Sequence, residues 1–92
     1  MDILYSKRAV KSLKKLDSPT QARIRDRILS LKRSLDQDGI IPFSEMDIKQ
    51  LKGNWDGFYR VRVGKIRIIF KLDELSDRLL IYDIAFRGSA YD

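Results

Sequence analysis

The chain has 92 residues, 43% hydrophobic and 35% charged, which is one small domain with a single core. It has no cysteine and no histidine, so a disulfide framework, a thiolate metal site and every Ser-His or Cys-His nucleophile pair are excluded. The net charge of +6 favours an acidic partner, either nucleic acid or an acidic protein.

The charge is uneven. Residues 1–35 hold ten basic and three acidic side chains, residues 36–57 two and five, and residues 58–92 seven and five. No run of about 18 apolar residues occurs, so no spanning helix is expected. The start, Met1-Asp2-Ile3-Leu4-Tyr5-Ser6, lacks the basic-then-apolar order of a signal peptide. A cytoplasmic protein with no membrane partner is the expectation.

In chain order, Ile3-Leu4-Tyr5 is a short apolar run with strand character. Ser6 is placed to cap a helix that runs to about Leu16. Val10, Leu13 and Leu16 form its apolar side, and Lys7, Arg8, Lys11, Lys14 and Lys15 cover the rest. Asp17-Ser18-Pro19 breaks this helix. Ser18 as N-cap, Pro19 at the first helical position and Gln21 at the third start a second one. Ile24, Ile28, Leu31 and Leu35 then recur at helical spacing, with Ala22 and Leu29 flanking the stripe. Two helices joined by a tight turn predict an antiparallel helical hairpin laid on a sheet. Their basic faces have two readings: solvated surface, or a tract that docks on a large polyanion.

Asp38-Gly39 ends the helical region and Pro42 keeps the next segment out of it. A featureless loop of some twenty residues is uncommon in a small domain. A short turn of helix or an extended piece is therefore expected from Met46 to Leu51, anchored by Ile48 and Leu51, with Trp55 over one edge of the core. Lys49 and Lys52 are expected to project towards the basic face described next.

From Gly57 to Lys71 the pattern alternates apolar and basic residues around Gly64-Lys65, the mark of two half-buried strands joined by a two-residue turn. That turn pairs Val63 with Ile66, Val61 with Ile68 and Tyr59 with Phe70 on an apolar face. The other face sets Arg62 against Arg67, Arg60 against Ile69 and Phe58 against Lys71. Like charges directly opposite each other cost roughly 0.2–1 kcal/mol, and no Asp or Glu lies between Gly57 and Leu72. An anion such as a phosphate backbone would relieve the crowding, which favours an anion-binding face over a merely solvated one.

Asp73 to Asp77 reads as a polar turn, and Leu79 to Phe86 as a final strand buried on both faces and paired beside Ile66–Leu72. Asp83, the only acid in that strand, reads as an ion-pair partner of a nearby Arg. The expected order is β-α-α-β-β-β, an α+β fold over residues 1–92 with a helical hairpin on a small, mainly antiparallel sheet. Arg87 and Tyr91 follow the last strand. The antiparallel pairing brings them to the mouth that holds Arg67. The result is a concave basic site with an aromatic, suited to holding a phosphodiester and stacking a base.

The element order, Leu51-Lys52-Gly53, the run Tyr59-Arg60-Val61-Arg62-Val63-Gly64-Lys65-Ile66-Arg67-Ile68-Ile69-Phe70, and Phe86-Arg87 with Tyr91 resemble the RelE/ParE superfamily of bacterial and archaeal toxins, more closely its RelE branch. The resemblance spans essentially the whole chain. It implies a ribosome-dependent endoribonuclease that cuts mRNA in the ribosomal A site and is blocked by a cognate antitoxin. It implies basic residues for catalysis at Arg60 and Arg62, a phosphate-binding arginine at Arg67, an arginine for the leaving 5′-oxygen at Arg87, and a stacking or activating tyrosine at Tyr91. Lys52, Phe58, Lys65 and Lys71 are assigned as further RNA contacts, and the basic helices as rRNA contacts. No metal and no cofactor is expected, because RNA brings its own 2′-OH nucleophile and the enzyme need only align it and stabilise charge. Many relatives carry Lys where this chain has Arg60 and Arg62. Arginine stays protonated above pH ~12, so the part of general base passes to Tyr91 or to the pre-organised RNA. Two alternatives remain: a ParE-like toxin that poisons DNA gyrase, and a non-catalytic module binding nucleic acid or an antitoxin.

Overall fold

Gly64 adopts φ +61°, the left-handed sign that a tight hairpin demands at its first turn position and that glycine supplies at no steric cost. This turn sets the register of the sheet. In the computed structural model, which describes residues 1–86, the strands flanking it pair Val63 with Ile66, Arg62 with Arg67, Val61 with Ile68, Arg60 with Ile69, Tyr59 with Phe70 and Phe58 with Lys71. Every pair matches the alternation read from the sequence.

Eight elements follow in order: β1 (Asp2–Tyr5), α1 (Lys7–Lys14), α2 (Ser18–Asp38), β2 (Ile48–Gln50), a 3-10 turn (Gly53–Trp55), β3 (Phe58–Val63), β4 (Ile66–Asp73) and β5 (Arg78–Phe86). The strands form one sheet in the order β1-β5-β4-β3-β2. All neighbours are antiparallel except β1 and β5, which run parallel. The expected α+β architecture holds, with one strand more: the extended piece around Met46–Leu51 is β2, paired to β3 as Ile48 with Val61 and Lys49 with Arg60.

Both helices bury their apolar stripes against one face of the sheet. Ile24, Ile28, Leu31 and Leu35 of α2 meet Val61, Val63, Ile66, Ile68 and Phe70 of the hairpin and Leu79, Ile81 and Ile84 of β5 in the main core. In α1 the buried residues are Ala9 and Leu13, while Val10 is 36% exposed. Leu13 and Leu16 of the predicted stripe do reach the core, and Ala9 takes the place expected of Val10, because α1 lies against β5 and turns its small residue to the strand.

The break between the helices also differs from expectation. Asp17, not Ser18, is the N-cap of α2, and its carboxylate accepts the Thr20 N–H at 3.4 Å and the Thr20 hydroxyl at 2.6 Å. Pro19 is then one position deeper, still within the first turn where a missing N–H is tolerated. Gln21 does not complete a capping box. Its amide donates to the carbonyls of Leu13 and Leu16, both at 2.9 Å, and so closes the end of α1.

Across β4 and β5 the register shifts between Ile69 and Phe70. At this bulge Asp83 is buried and accepts from Arg8 Nε at 3.1 Å, Ser12 Oγ at 3.2 Å and its neighbour Ile84 N–H at 2.8 Å. One ion-pair partner is thus an arginine of α1, and the pair ties α1 to the last strand.

Three exposed carboxylates titrate below their ordinary value of 3.8. The Thr20 hydroxyl and N–H stabilise charged Asp17, a hydrogen bond from Lys32 stabilises Asp36, and the Ser76 hydroxyl and N–H stabilise Asp73. A carboxyl depressed on folding contributes stability above its unfolded value and loses it as pH falls through its folded value. The melting temperature should therefore fall as pH drops below 3.8. A triple Asp17→Asn, Asp36→Asn, Asp73→Asn variant, followed by Trp55 fluorescence, should show a shallower fall. An unchanged acid limb would contradict this assignment.

Candidate functional site

The sheet face away from the helices divides into two halves. Towards the 51–57 connection it is apolar and aromatic. Leu51 and Ile69 are buried there, with Trp55, Phe58, Tyr82 and Ala85 packed on them. The rings of Trp55, Phe58 and Tyr82 meet at 5.4–5.6 Å between centroids in edge-on or tilted pairs. Trp55 thus closes part of this second face rather than an edge of the main core. Positive groups flank the trio, with Lys71 Nζ 5.4 Å from the Phe58 ring and the Arg8 guanidinium 5.7 Å from the Tyr82 ring.

Towards the Gly64 turn the same face is basic. Arg60, Arg62 and Arg67 share it by strand alternation, and Arg62 stands directly opposite Arg67. They are not equally open. Arg60 and Arg67 are buried, at 7% and 8% exposure, whereas the Arg62 side chain is 45% exposed. The expected anion-binding face thus carries one exposed guanidinium beside two enclosed ones.

Asp47 explains part of that difference. It sits 13 residues before Arg60 in a left-handed backbone conformation, φ +51°, which Asp tolerates better than most residues. Its carbonyl oxygen accepts from Arg60 Nη1 at 3.0 Å and from the Arg62 N–H at 3.3 Å. Its carboxylate accepts from Arg60 Nη1 at 3.3 Å and lies 3.9 Å from Arg62 Nε. The acid that the hairpin lacks is supplied by the segment preceding β2. No local sequence signal marks it, since only the pairing of β2 with β3 brings it there.

The other expected site residues are spread more widely. Lys71 lies on the same face, opposite Phe58, and Lys52 is exposed where the chain leaves β2 for the 3-10 turn. Lys65 is not with them. It lines a hollow at the hairpin tip with Leu16, Thr20 and Arg23, on the side of the helices. Lys49 faces the same way as Arg60 by its direct pairing. Arg87 and Tyr91 lie outside the described residues. Among the helical cations, Arg8 and Lys32 are paired to Asp83 and Asp36, while Lys7, Lys11, Lys14, Lys15, Arg23, Arg25 and Arg33 are exposed. No group of three or more Asp or Glu suited to a metal ion occurs among the described residues.

The family model for the ParE toxin of type II toxin-antitoxin systems matches residues 3–91. A putative toxin RelE1 of Methanocaldococcus jannaschii is 35% identical over 85 residues, covering 92% of this chain and 88% of the relative. Among solved structures, the archaeal RelE-RelB complex of Pyrococcus horikoshii OT3 contains a chain that superposes with a TM-score of 0.68 at 26% identity, covering 97% of both chains. The intact RelBE toxin-antitoxin complex of E. coli contains one with a TM-score of 0.69 at 10% identity, covering 96% of this chain and 98% of that one.

The different burial of the arginines has a direct consequence for stability. Arg60→Ala should cost roughly 1–3 kcal/mol, because it removes charge-assisted bonds to Asp47 and the packing of a buried stem. Arg62→Ala should change stability by less than about 0.5 kcal/mol, as expected for an exposed side chain that also faces a like charge. Urea unfolding followed by Trp55 fluorescence separates the two. Equal losses would contradict the contrast.

Proposed function

The chain belongs to the ParE/RelE toxin family of type II toxin–antitoxin systems, and we propose that it acts as a ribosome-dependent endoribonuclease that cuts mRNA and stops translation. The observation that carries this reading is the pairing of Arg62 directly opposite Arg67, with Arg60 beside them, on one face of the sheet. Two arginines at directly opposite positions can supply paired donors for the non-bridging oxygens of one phosphate.

The reaction needs little else from the protein. The 2′-oxygen of the RNA attacks the adjacent phosphorus, the bond from phosphorus to the 5′-oxygen breaks, and a 2′,3′-cyclic phosphate and a 5′-hydroxyl result. The 2′-hydroxyl proton leaves and a proton reaches the 5′-oxygen. Negative charge builds on the non-bridging oxygens in between. Arg62, the exposed cation, and Arg67 opposite it donate to the phosphate, and buried Arg60 provides fixed positive charge beside them, which is worth most where water is excluded. None of the three serves as a base, since a guanidinium holds its proton. Arg87 is assigned to the leaving oxygen and Tyr91 to the nucleotide stack or to proton transfer. Alignment of the 2′-oxygen with the breaking bond falls to the ribosome-bound mRNA, which accounts for the ribosome dependence.

Lys71 and Lys52 extend the positive track along the RNA, and Phe58 offers an aromatic edge beside Lys71. The exposed lysines and arginines of α1 and α2 are assigned to rRNA phosphates. Lys65 belongs with Arg23 to this helical side. The Pyrococcus and E. coli relatives were solved as complexes with their antitoxins. A cognate antitoxin is proposed here as well, with acidic residues near Arg62 and a helix or strand on the helices or on an outer strand of the sheet. Mainly electrostatic docking makes its affinity fall with salt.

The decisive test is in vitro translation of a defined mRNA with mapping of the 5′ ends. The wild type should give cuts inside codons. Arg62→Ala and Arg67→Ala should each lower the rate by roughly 10²–10³-fold, the scale for losing one stabilising donor. Intact mRNA together with blocked gyrase supercoiling would replace this reading by gyrase poisoning. Intact mRNA with normal gyrase would leave a binding module.

A further inference from the structure

The charge pattern of the hairpin requires Arg60, Arg62 and Arg67 to share one face, and something must fix their guanidiniums before RNA arrives. Unrestrained arginine side chains lose rotamer freedom on meeting a phosphate, and that loss subtracts from binding and from transition-state stabilisation. Asp47 meets this requirement for Arg60. Two of its acceptors, the main-chain carbonyl and Oδ1, engage the same nitrogen, Nη1, at 3.0 and 3.3 Å. Its carbonyl also receives the Arg62 N–H at 3.3 Å. The residue is held at φ +51°, next to Ile48, which is buried in the core. Met46 on its other side is buried as well. Its own side chain is 59% exposed, so it reaches the basic face from the rim without plugging it.

We propose that Asp47 is a positioning residue of the arginine site: its carboxylate oxygen and carbonyl orient the Arg60 guanidinium toward the scissile phosphate. The carboxylate is too exposed for its charge to dominate, and the effect lies in the hydrogen bond. The proposal rests on the reading of this face as the RNA site.

Two substitutions isolate the bond from the charge while respecting the backbone. Asp47→Asn keeps an oxygen acceptor and removes the charge, and Asn tolerates the left-handed conformation. Asp47→Gly removes the acceptor, keeps the carbonyl and suits that conformation best. Both lack the charge, so their difference reads the hydrogen bond alone. The cleavage rate on programmed ribosomes should fall roughly tenfold in Asp47→Gly, mainly in kcat, and by less than about threefold in Asp47→Asn, with melting temperatures of the two variants within a few degrees. A second readout needs no cleavage: anisotropy of an RNA oligonucleotide with a methylated 2′-oxygen should show Asp47→Gly binding several-fold more weakly than Asp47→Asn.

Equal behaviour of the two variants in both assays would overturn the proposal, as would tighter RNA binding by Asp47→Gly than by Asp47→Asn. If the wild type leaves mRNA intact while the two variants still differ in oligonucleotide binding, the cleavage reading fails and the role of Asp47 stands.

Discussion

The register of the β3–β4 hairpin is the constraint on which the rest of the molecule depends. Side chains alternate along a strand, so a slip of one residue would turn Arg60, Arg62 and Arg67 into the core and put Val61, Val63, Ile66 and Ile68 into water. Burial of these four against α2 makes that slip prohibitively costly, and Gly64 at φ +61° fixes where the chain reverses. The same register that builds the core therefore forces Arg62 onto Arg67. A local repulsion is accepted as the consequence of a global packing solution, and the surrounding residues are arranged around it.

Those arrangements come from outside the hairpin. Strand β2 pairs with β3 and brings Asp47 to Arg60 and Arg62. The 51–57 connection folds Leu51 and Trp55 over Ile69 and closes the other half of the face. On β5, the bulge beside Ile69 carries the chain into the Asp83 network that anchors α1. The basic half of the sheet is thus framed by elements from outside the hairpin. The two halves also differ in what they bury: Leu51 and Ile69 pack under Trp55 at one end, and Arg60 and Arg67 are enclosed at the other.

Much of this was legible in the sequence because it follows from period-2 alternation and turn chemistry. Every pair across Gly64-Lys65, the buried stripe Ile24-Ile28-Leu31-Leu35, the stop at Gly39 and the pairing of the last strand beside β4 all rest on local patterns with one low-energy solution. What was not legible depends on tertiary partners. Val10 and Ala9 exchange places because β5 needs a small neighbour. Asp17 outcompetes Ser18 as the cap, and Gln21 is drawn to the end of α1. Asp47 is remote in sequence from the arginines it holds, so the hairpin looked devoid of acid. Lys65 alternates like the other cations, yet a turn residue belongs to neither face, and α2 supplies its neighbours.

The central claim is that the face carrying Arg62 and Arg67 receives an RNA phosphate. It is tested most directly by a cryo-electron microscopy structure of the protein on a ribosome programmed with mRNA whose 2′-oxygen is methylated at the A-site codon. The account predicts a phosphate of that codon within hydrogen-bonding distance of the guanidiniums of Arg62 and Arg67, with Arg60 still bonded to Asp47. RNA that contacts only the basic faces of α1 and α2, leaving the arginine face against solvent or protein, would contradict it.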